Sequence, residues 1–321
     1  MNKFVVGLSV LACTGLVQAQ AKWDLPTGYS ANSFQTQTVQ QFANEVDQLT
    51  GGKLKITLHP GGSLYKANEI KRAVQTGQVQ AAEFIVSGAA NENALFGVDS
   101  IPFLATSYAD ARRLYLAAKP VQDKLLASQG LKVLFSVPWP GQSLYSLKPV
   151  SAPADFSGTK MRAYNPATNR IAQLLKAQPV TIQLAELGQA LATGAVDNFL
   201  TSSASGIESK LHEQVKYFYP VSAWLPRNAT VVSQKAFDAL DKPTQEAVLK
   251  AAAAAEGRGW TTSEKLDGEY IKELGTKGMT IAPPTESVKK ALSTIGETMT
   301  AEWLKTAGAE GQSIIDAYRK P

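Results

Sequence analysis

Nucleophilic or metal-assisted chemistry needs residue types that this chain of 321 residues largely lacks. Its two histidines are His59, directly before a Pro-Gly-Gly turn, and His212, in a polar stretch. Neither position suits a catalytic base, and the single cysteine, Cys13, lies in an N-terminal run expected to be removed. A Ser-His-Asp or Cys-His nucleophile therefore has no evident partner. No spacing of His or Cys calls for zinc and no Asp-x-Asp-x-Asp loop calls for calcium. Gly61-Gly-Ser63 lacks the Gly-Lys-Ser/Thr ending that would hold a β-phosphate.

What remains is equipment for binding. In Gly158-Thr-Lys-Met-Arg-Ala-Tyr-Asn-Pro166 a turn leads into a short strand, and Asn165-Pro166 resets the chain for a helix. Arg162 then lies at a strand end beside a helix N-terminus, where a guanidinium and free N–H groups can hold a carboxylate in a forked pair. Alone, that stretch fits a surface or ion-paired arginine better; the rest of the chain reverses this. Glu83 stands inside the apolar run Ala81-Ala-Glu-Phe-Ile-Val86. It is either a ligand-facing acceptor or a structural acid paired to lysine or arginine, the commoner outcome for a lone buried acid. Trp139, between two prolines, is rigidly placed and suits a pocket wall and a packed turn equally.

The elements that must position these groups follow from periodicity. Helices are predicted over 34–49, 66–76, 108–128, 168–176 and 186–193, and strands over 22–26, 53–58, 79–86, 131–137, 180–182, 196–200 and 229–233. The alternation implies an α/β fold of mixed, mostly parallel sheets with a ligand crevice at strand ends. From Asp241 to about Leu274 nearly every residue favours helix. Gly257, Gly259 and Gly268 weaken this helix, and its length exceeds one domain, so it is expected to cross two. Helices at 287–305 and 312–319 complete the chain.

Met1-Asn-Lys-Phe followed by an apolar run and small residues reads as a secretory signal peptide over 1–21, cleaved after Ala19 or Ala21. A faint lipoprotein-like Val10-Leu-Ala-Cys13 is the minor alternative. A mature chain without cysteine depends on its core, and its length suggests two domains. The net charge of +5 is spread among acidic residues, unlike the basic stripe of a nucleic-acid binder.

Several short runs in order resemble a known family. They are Phe42 to Gly51 with Lys53-Leu-Lys-Ile56, Gly62-Ser-Leu64, Ile101-Pro-Phe-Leu104, Gly158-Thr-Lys-Met-Arg162, Asn165-Pro-Ala-Thr-Asn169 and Ala190-Leu-Ala-Thr-Gly-Ala-Val-Asp197. Across the mature chain they resemble the solute-binding proteins of tripartite ATP-independent periplasmic (TRAP) transporters, of the DctP type. The resemblance implies two α/β lobes with a cleft between them, a long helix spanning both, and delivery of a small organic acid to a permease of small and large membrane subunits. It gives Arg162 the salt bridge to the ligand carboxylate. Many members have a second arginine where Gln142 stands, and Thr201 replaces a ligand-binding asparagine. Phe199 is newly aromatic. These departures disfavour a dicarboxylate or sugar acid.

The expected lobes are 22–139 with 228–267 and 140–227 with 268–321, bridged by the helix at 241–274. The candidate ligand-binding residues are Arg162, Gln142, Trp139, Asn165, Phe199, Thr201, Glu83, Trp224 and Tyr29. Together they describe a periplasmic, non-enzymatic, monomeric receptor without cofactor, metal or nucleic acid, for a monocarboxylate on an aromatic or 2-oxo body. The alternatives are a C4-dicarboxylate or sugar-acid receptor, a sensor-associated binding protein, and a secreted hydrolase or lyase using Glu83 or Asp197 as base.

Overall fold

The computed structural model describes residues 20–320, so the expected signal peptide, apart from Gln20 and Ala21, and Cys13 lie outside them. The chain begins with β1 (Ala21–Pro26), α1 (Phe34–Leu49), β2 (Leu54–His59), α2 (Ile70–Gln75) and β3 (Ala81–Ile85). It continues with α3 (Tyr108–Ser128) and β4 (Leu131–Pro138), and then crosses to β5 (Ser143–Ser146). Next come β6 (Lys160–Ala163), α4 (Pro166–Leu174), β7 (Gln178–Thr181), α5 (Leu184–Ala192), β8 (Asn198–Thr201), α6 (Ser203–Glu208) and β9 (Tyr217–Tyr219). It crosses back into β10 (Arg227–Ser233) and α7 (Gln234–Asp238), and ends with α8 (Lys242–Thr276), β11 (Thr280–Ile281) and α9 (Glu286–Arg319).

Two sheet systems result. In the first lobe β1 and β2 pair in parallel, and β10 lies between β3 and β4, antiparallel to both. A parallel bridge from Thr27, just past β1, to Glu83 of β3 joins the two sheets. The second lobe holds a six-stranded sheet in the order β11-β9-β5-β8-β6-β7. The antiparallel pairings all involve β5 or β10, the strands that begin after each crossing. Each lobe has apolar clusters of its own. In the first, Val39, Phe42 and Val46 of α1 meet Trp23, Leu25 and Phe135; in the second, Met161 and Leu200 meet Val288 and Leu292. Leu49 continues the helical spacing of α1 but is exposed.

Three connections cross between the lobes, and two of them lie side by side. The run after β4 and the run before β10 exchange hydrogen bonds: Trp139 N to Pro226 O, Gln142 N to Trp224 O and Ala223 N to Gln142 O, each 2.8 Å. Gly141 permits this approach, since a Cβ there would lie 2.0 Å from Ser222 Oγ. The third connection is α8, 35 residues long and thus about 50 Å. Asp241 caps it, accepting from Thr244 N at 2.7 Å. Ala251, Ala252 and Ala255 pack in the first lobe, and Leu274 packs in the second. Gly259 is required here: a Cβ would stand 2.4 Å from Val137 Cγ2, so glycine lets α8 lie directly on β4.

The last helix departs from the expected pair of helices. It is continuous except at Gly308, whose φ of 62° and ψ of −147° form a kink. Beyond the kink Ile314 packs with Leu95, Leu114 and Ala118, so the tail expected in the second lobe ends against α3.

Candidate ligand-binding site

A cleft of about 340 Å³ opens between the lobes, lined by residues from both and by the two side-by-side crossings. Arg162 comes to it on β6. Strand alternation sends Met161 into the second-lobe core and turns Arg162 to the cleft, where its residue is only 3% exposed. Its Nε donates to Ile182 O at 2.8 Å, and this is its only hydrogen bond among the described residues. No carboxylate there lies within ion-pair distance of it, in contrast to Lys71, the other cation in the lining, which bonds Glu92 at 2.5 Å. The guanidinium lies 4.9 Å from the Tyr164 ring, and burial pulls its pKa down to about 10 while the neighbouring tyrosines oppose that shift. A desolvated cation held at one nitrogen is a receptor for an anion that brings its own acceptors.

Glu83 approaches from the first lobe on β3 and is 1% exposed. The lysine or arginine expected as its partner is not there among the described residues. Instead Thr27 Oγ1 donates to Oε2 and Asn228 Nδ2 to Oε1, both neutral groups. Burial pushes its carboxyl up to about 7, against the pull of those two hydrogen bonds. Asn228 is the centre of this wall. Its Oδ1 accepts from Trp139 Nε1 at 2.9 Å and from the Tyr29 hydroxyl at 3.3 Å, and Tyr29 stacks obliquely on Trp139 with centroids 4.9 Å apart. Tyr29 lies within electrostatic reach of both Glu83 and Arg162, and burial raises its pKa.

Gln142 and Thr201 also line the cleft. Gln142 is fixed by its Nε2 bond to Pro140 O at 3.1 Å and by the Tyr164 hydroxyl donating to its Oε1 at 3.2 Å. Three expected contacts lie elsewhere. Phe199 is fully buried in the second-lobe core, its ring stacked on Tyr145 at 5.1 Å and 7°. Trp224 is a core residue of the same lobe; its carbonyl, rather than its ring, serves the crossing. Asn165 caps α4, accepting from Thr168 N at 2.8 Å, and its Nδ2 donates to Ser87 Oγ at 2.9 Å, tying the lobes together behind the cleft lining.

Sequence reasoning missed Tyr164, Thr27 and Asn228. Tyr164 follows Arg162 by two residues and so shares its face, a signal that was present. Asn228 gave none, since it lies at the start of a strand whose apolar run begins only at Ala229. Neither histidine reaches the cleft: His59 pairs with Asp24 at 2.7 Å, and His212 lies outside the lining. Asp197 is also outside it, accepting from Lys160 N at 2.7 Å. Among the described residues no group of three or more His, Cys, Asp or Glu is placed to hold a metal.

Comparison with known proteins agrees with this architecture. The model of bacterial extracellular solute-binding protein family 7 (DctP) matches residues 27–306. Over 94% of this chain and 100% of the other, the fold superposes with a TM-score of 0.92 and 49% identity on DctP6 of Bordetella pertussis, an extracytoplasmic solute receptor binding pyroglutamic acid. A TRAP solute-binding protein from a marine metagenome, specific for pyroglutamate, gives 0.93 and 42% over the same shares. A solute-binding protein of Albidiferax ferrireducens is 29% identical over 73% of this chain and 70% of its own. The chain therefore belongs to bacterial extracellular solute-binding protein family 7, the DctP-type receptors of TRAP transporters.

Proposed function

We propose that this receptor binds a small cyclic monocarboxylate carrying an N–H donor, pyroglutamate being the model compound, and hands it to a TRAP permease. The observation that carries the reading is the pairing of opposites in one cleft: among the described residues, a buried guanidinium without a carboxylate on one lobe, and a buried carboxyl without a cation on the other. Arg162 takes the ligand carboxylate in a charge-assisted pair, and Glu83 accepts from the ring N–H. Tyr29 and Trp139 offer ring faces to a flat body. The volume is at the small end of the roughly 300–1,000 Å³ of ligand sites. Two receptors with 49% and 42% identity are described as binding pyroglutamate, which supports the same class here. With Phe199 and Trp224 in the core, the case for a large aromatic body weakens.

On this reading the protein acts as a carrier rather than an enzyme: of the two acids weighed as a base, Asp197 lies outside the cleft, and Glu83 lines it as the acceptor for the ligand N–H. Export to the periplasm with cleavage after Ala19 would leave β1 whole, whereas cleavage after Ala21 would remove a residue whose N–H bonds Lys53 O at 2.8 Å. A thermal-shift screen of small organic acids tests the ligand class. Pyroglutamate at 100 times its Kd is expected to stabilise the protein by about 2.7 kcal/mol. A larger shift from succinate or a sugar acid, with none from pyroglutamate, would overturn the reading.

A further inference from the structure

We propose that Asn228 is a positioning residue that fixes the hydrogen-bond polarity of the Glu83 wall, so that the receptor selects a ring N–H over a ring oxygen. The inference rests on the ligand reading above and concerns how that ligand is told from its isostere. An indole N–H can only donate, so the Asn228 atom facing Trp139 Nε1 at 2.9 Å must be the amide oxygen. The Tyr29 hydroxyl occupies the same oxygen at 3.3 Å. The amide nitrogen is thereby turned to Glu83 and has no alternative orientation. Thr27 adds a second donor, held less strictly: its Oγ1 accepts from Tyr29 N at 3.3 Å, and its hydroxyl proton is directed at the other Glu83 oxygen.

Both carboxylate oxygens are thus met from the protein side by donors alone. Thr27, Glu83 and Asn228 are all at most 1% exposed, so water does not relax the arrangement. On the sheet, Glu83 pairs with Thr230, which places Asn228 two residues along on the same face, in diagonal contact. In the ionised form, held above a pH of about 7, the remaining lone pairs of Glu83 face the cleft as acceptors, where a ligand N–H completes them and an ether oxygen meets them as like against like.

The test is the ratio of Kd values for pyroglutamate and for its lactone analogue, in which oxygen replaces the ring N–H, measured by calorimetry. The unaltered protein is expected to prefer the lactam by at least about a hundredfold, since sites built to bond an N–H reject the analogue lacking it strongly. Asn228→Asp puts a second carboxyl against Glu83, and the two then share a proton. The ratio is expected to fall within about tenfold, because the shared proton lets the pair donate as well as accept, and it is the readout because a general loss of affinity affects both anions together. Asn228→Ala removes the donor without adding a carboxyl, reads the same ratio, and serves if Asn228→Asp fails to fold. An unchanged ratio in the variants would overturn the role of Asn228. Equal binding of lactam and lactone by the unaltered protein would overturn the polarity and leave the Arg162–carboxylate reading standing. Binding of neither would overturn both.

Discussion

Among the described residues no carboxylate stands beside buried Arg162, so its charge is uncompensated there. Replacing Gln142, which shares the cleft, tests the neighbouring subsite: Gln142→Arg adds a second arginine and is expected to admit succinate at millimolar or better affinity, read by calorimetry. An unaltered ligand profile would remove Gln142 from the subsite. The settings of Arg162, Glu83 and Trp139 singled them out without deciding their roles: the Arg162 stretch alone fits a surface arginine better, Trp139 suits a packed turn equally, and the role given to Arg162 comes from the family resemblance. The sequence could not separate Phe199 from Thr201. Both lie on β8, which is buried throughout, and alternation puts them on one face. They differ in depth: Thr201 is two residues, about 7 Å, farther along and reaches the cleft, while Phe199 pairs with Tyr145 inside the core. Patterns record faces but not depth. Glu83 was ambiguous for another reason, since its partners Thr27 and Asn228 are 56 and 145 residues away.

At the scale of elements, α8 makes a contrast that can be measured. Gly257, Gly259 and Gly268 all count against helix, yet only Gly259 meets a neighbour within 4 Å. Gly259→Ala is expected to destabilise by about 1–3 kcal/mol, since rigid Val137 cannot withdraw. Gly257→Ala and Gly268→Ala are expected to stabilise by about 0.5–1 kcal/mol through helix propensity. Denaturant unfolding of the three variants checks the order, and equal effects would refute the close approach of α8 to β4. The start of α1 gives a second test. Glu208, at the end of α6, accepts from Phe34 N at 2.9 Å, and burial raises its carboxyl from 4.5 to about 7. A carboxyl whose folded value is raised contributes stability that is fully present below 4.5 and lost as pH rises through about 7. Glu208→Gln keeps an acceptor without the charge, so the fall in Tm between pH 5 and 7.5 is expected to be shallower than in the unaltered protein. An identical pH profile would contradict the cost assigned to this carboxylate. Helix ends and strand spans were legible because caps and spacing are local; α1, α3 and the cap of α8 stand where their sequence signals lie. The pairing order of β10 between β3 and β4 was not, because it depends on which crossing returns to which sheet.

For the whole molecule, the proposed site has its opposite halves on two lobes, and a ligand touching both would favour the closed arrangement by its differential contacts. Small-angle scattering is expected to show contraction on adding pyroglutamate; an unchanged radius of gyration would argue against closure. The two-lobed plan and the spanning helix were legible from element order and length. The return of α9 to the first lobe was not, since the kink at Gly308 that aims it gives no periodic signal. Arg162 is proposed to hold the ligand by its carboxylate, and calorimetry of pyroglutamate with the unaltered protein and with Arg162→Ala tests this most directly. A loss of about 2–5 kcal/mol in the variant is expected. Tight binding with affinity unchanged by the substitution would contradict it.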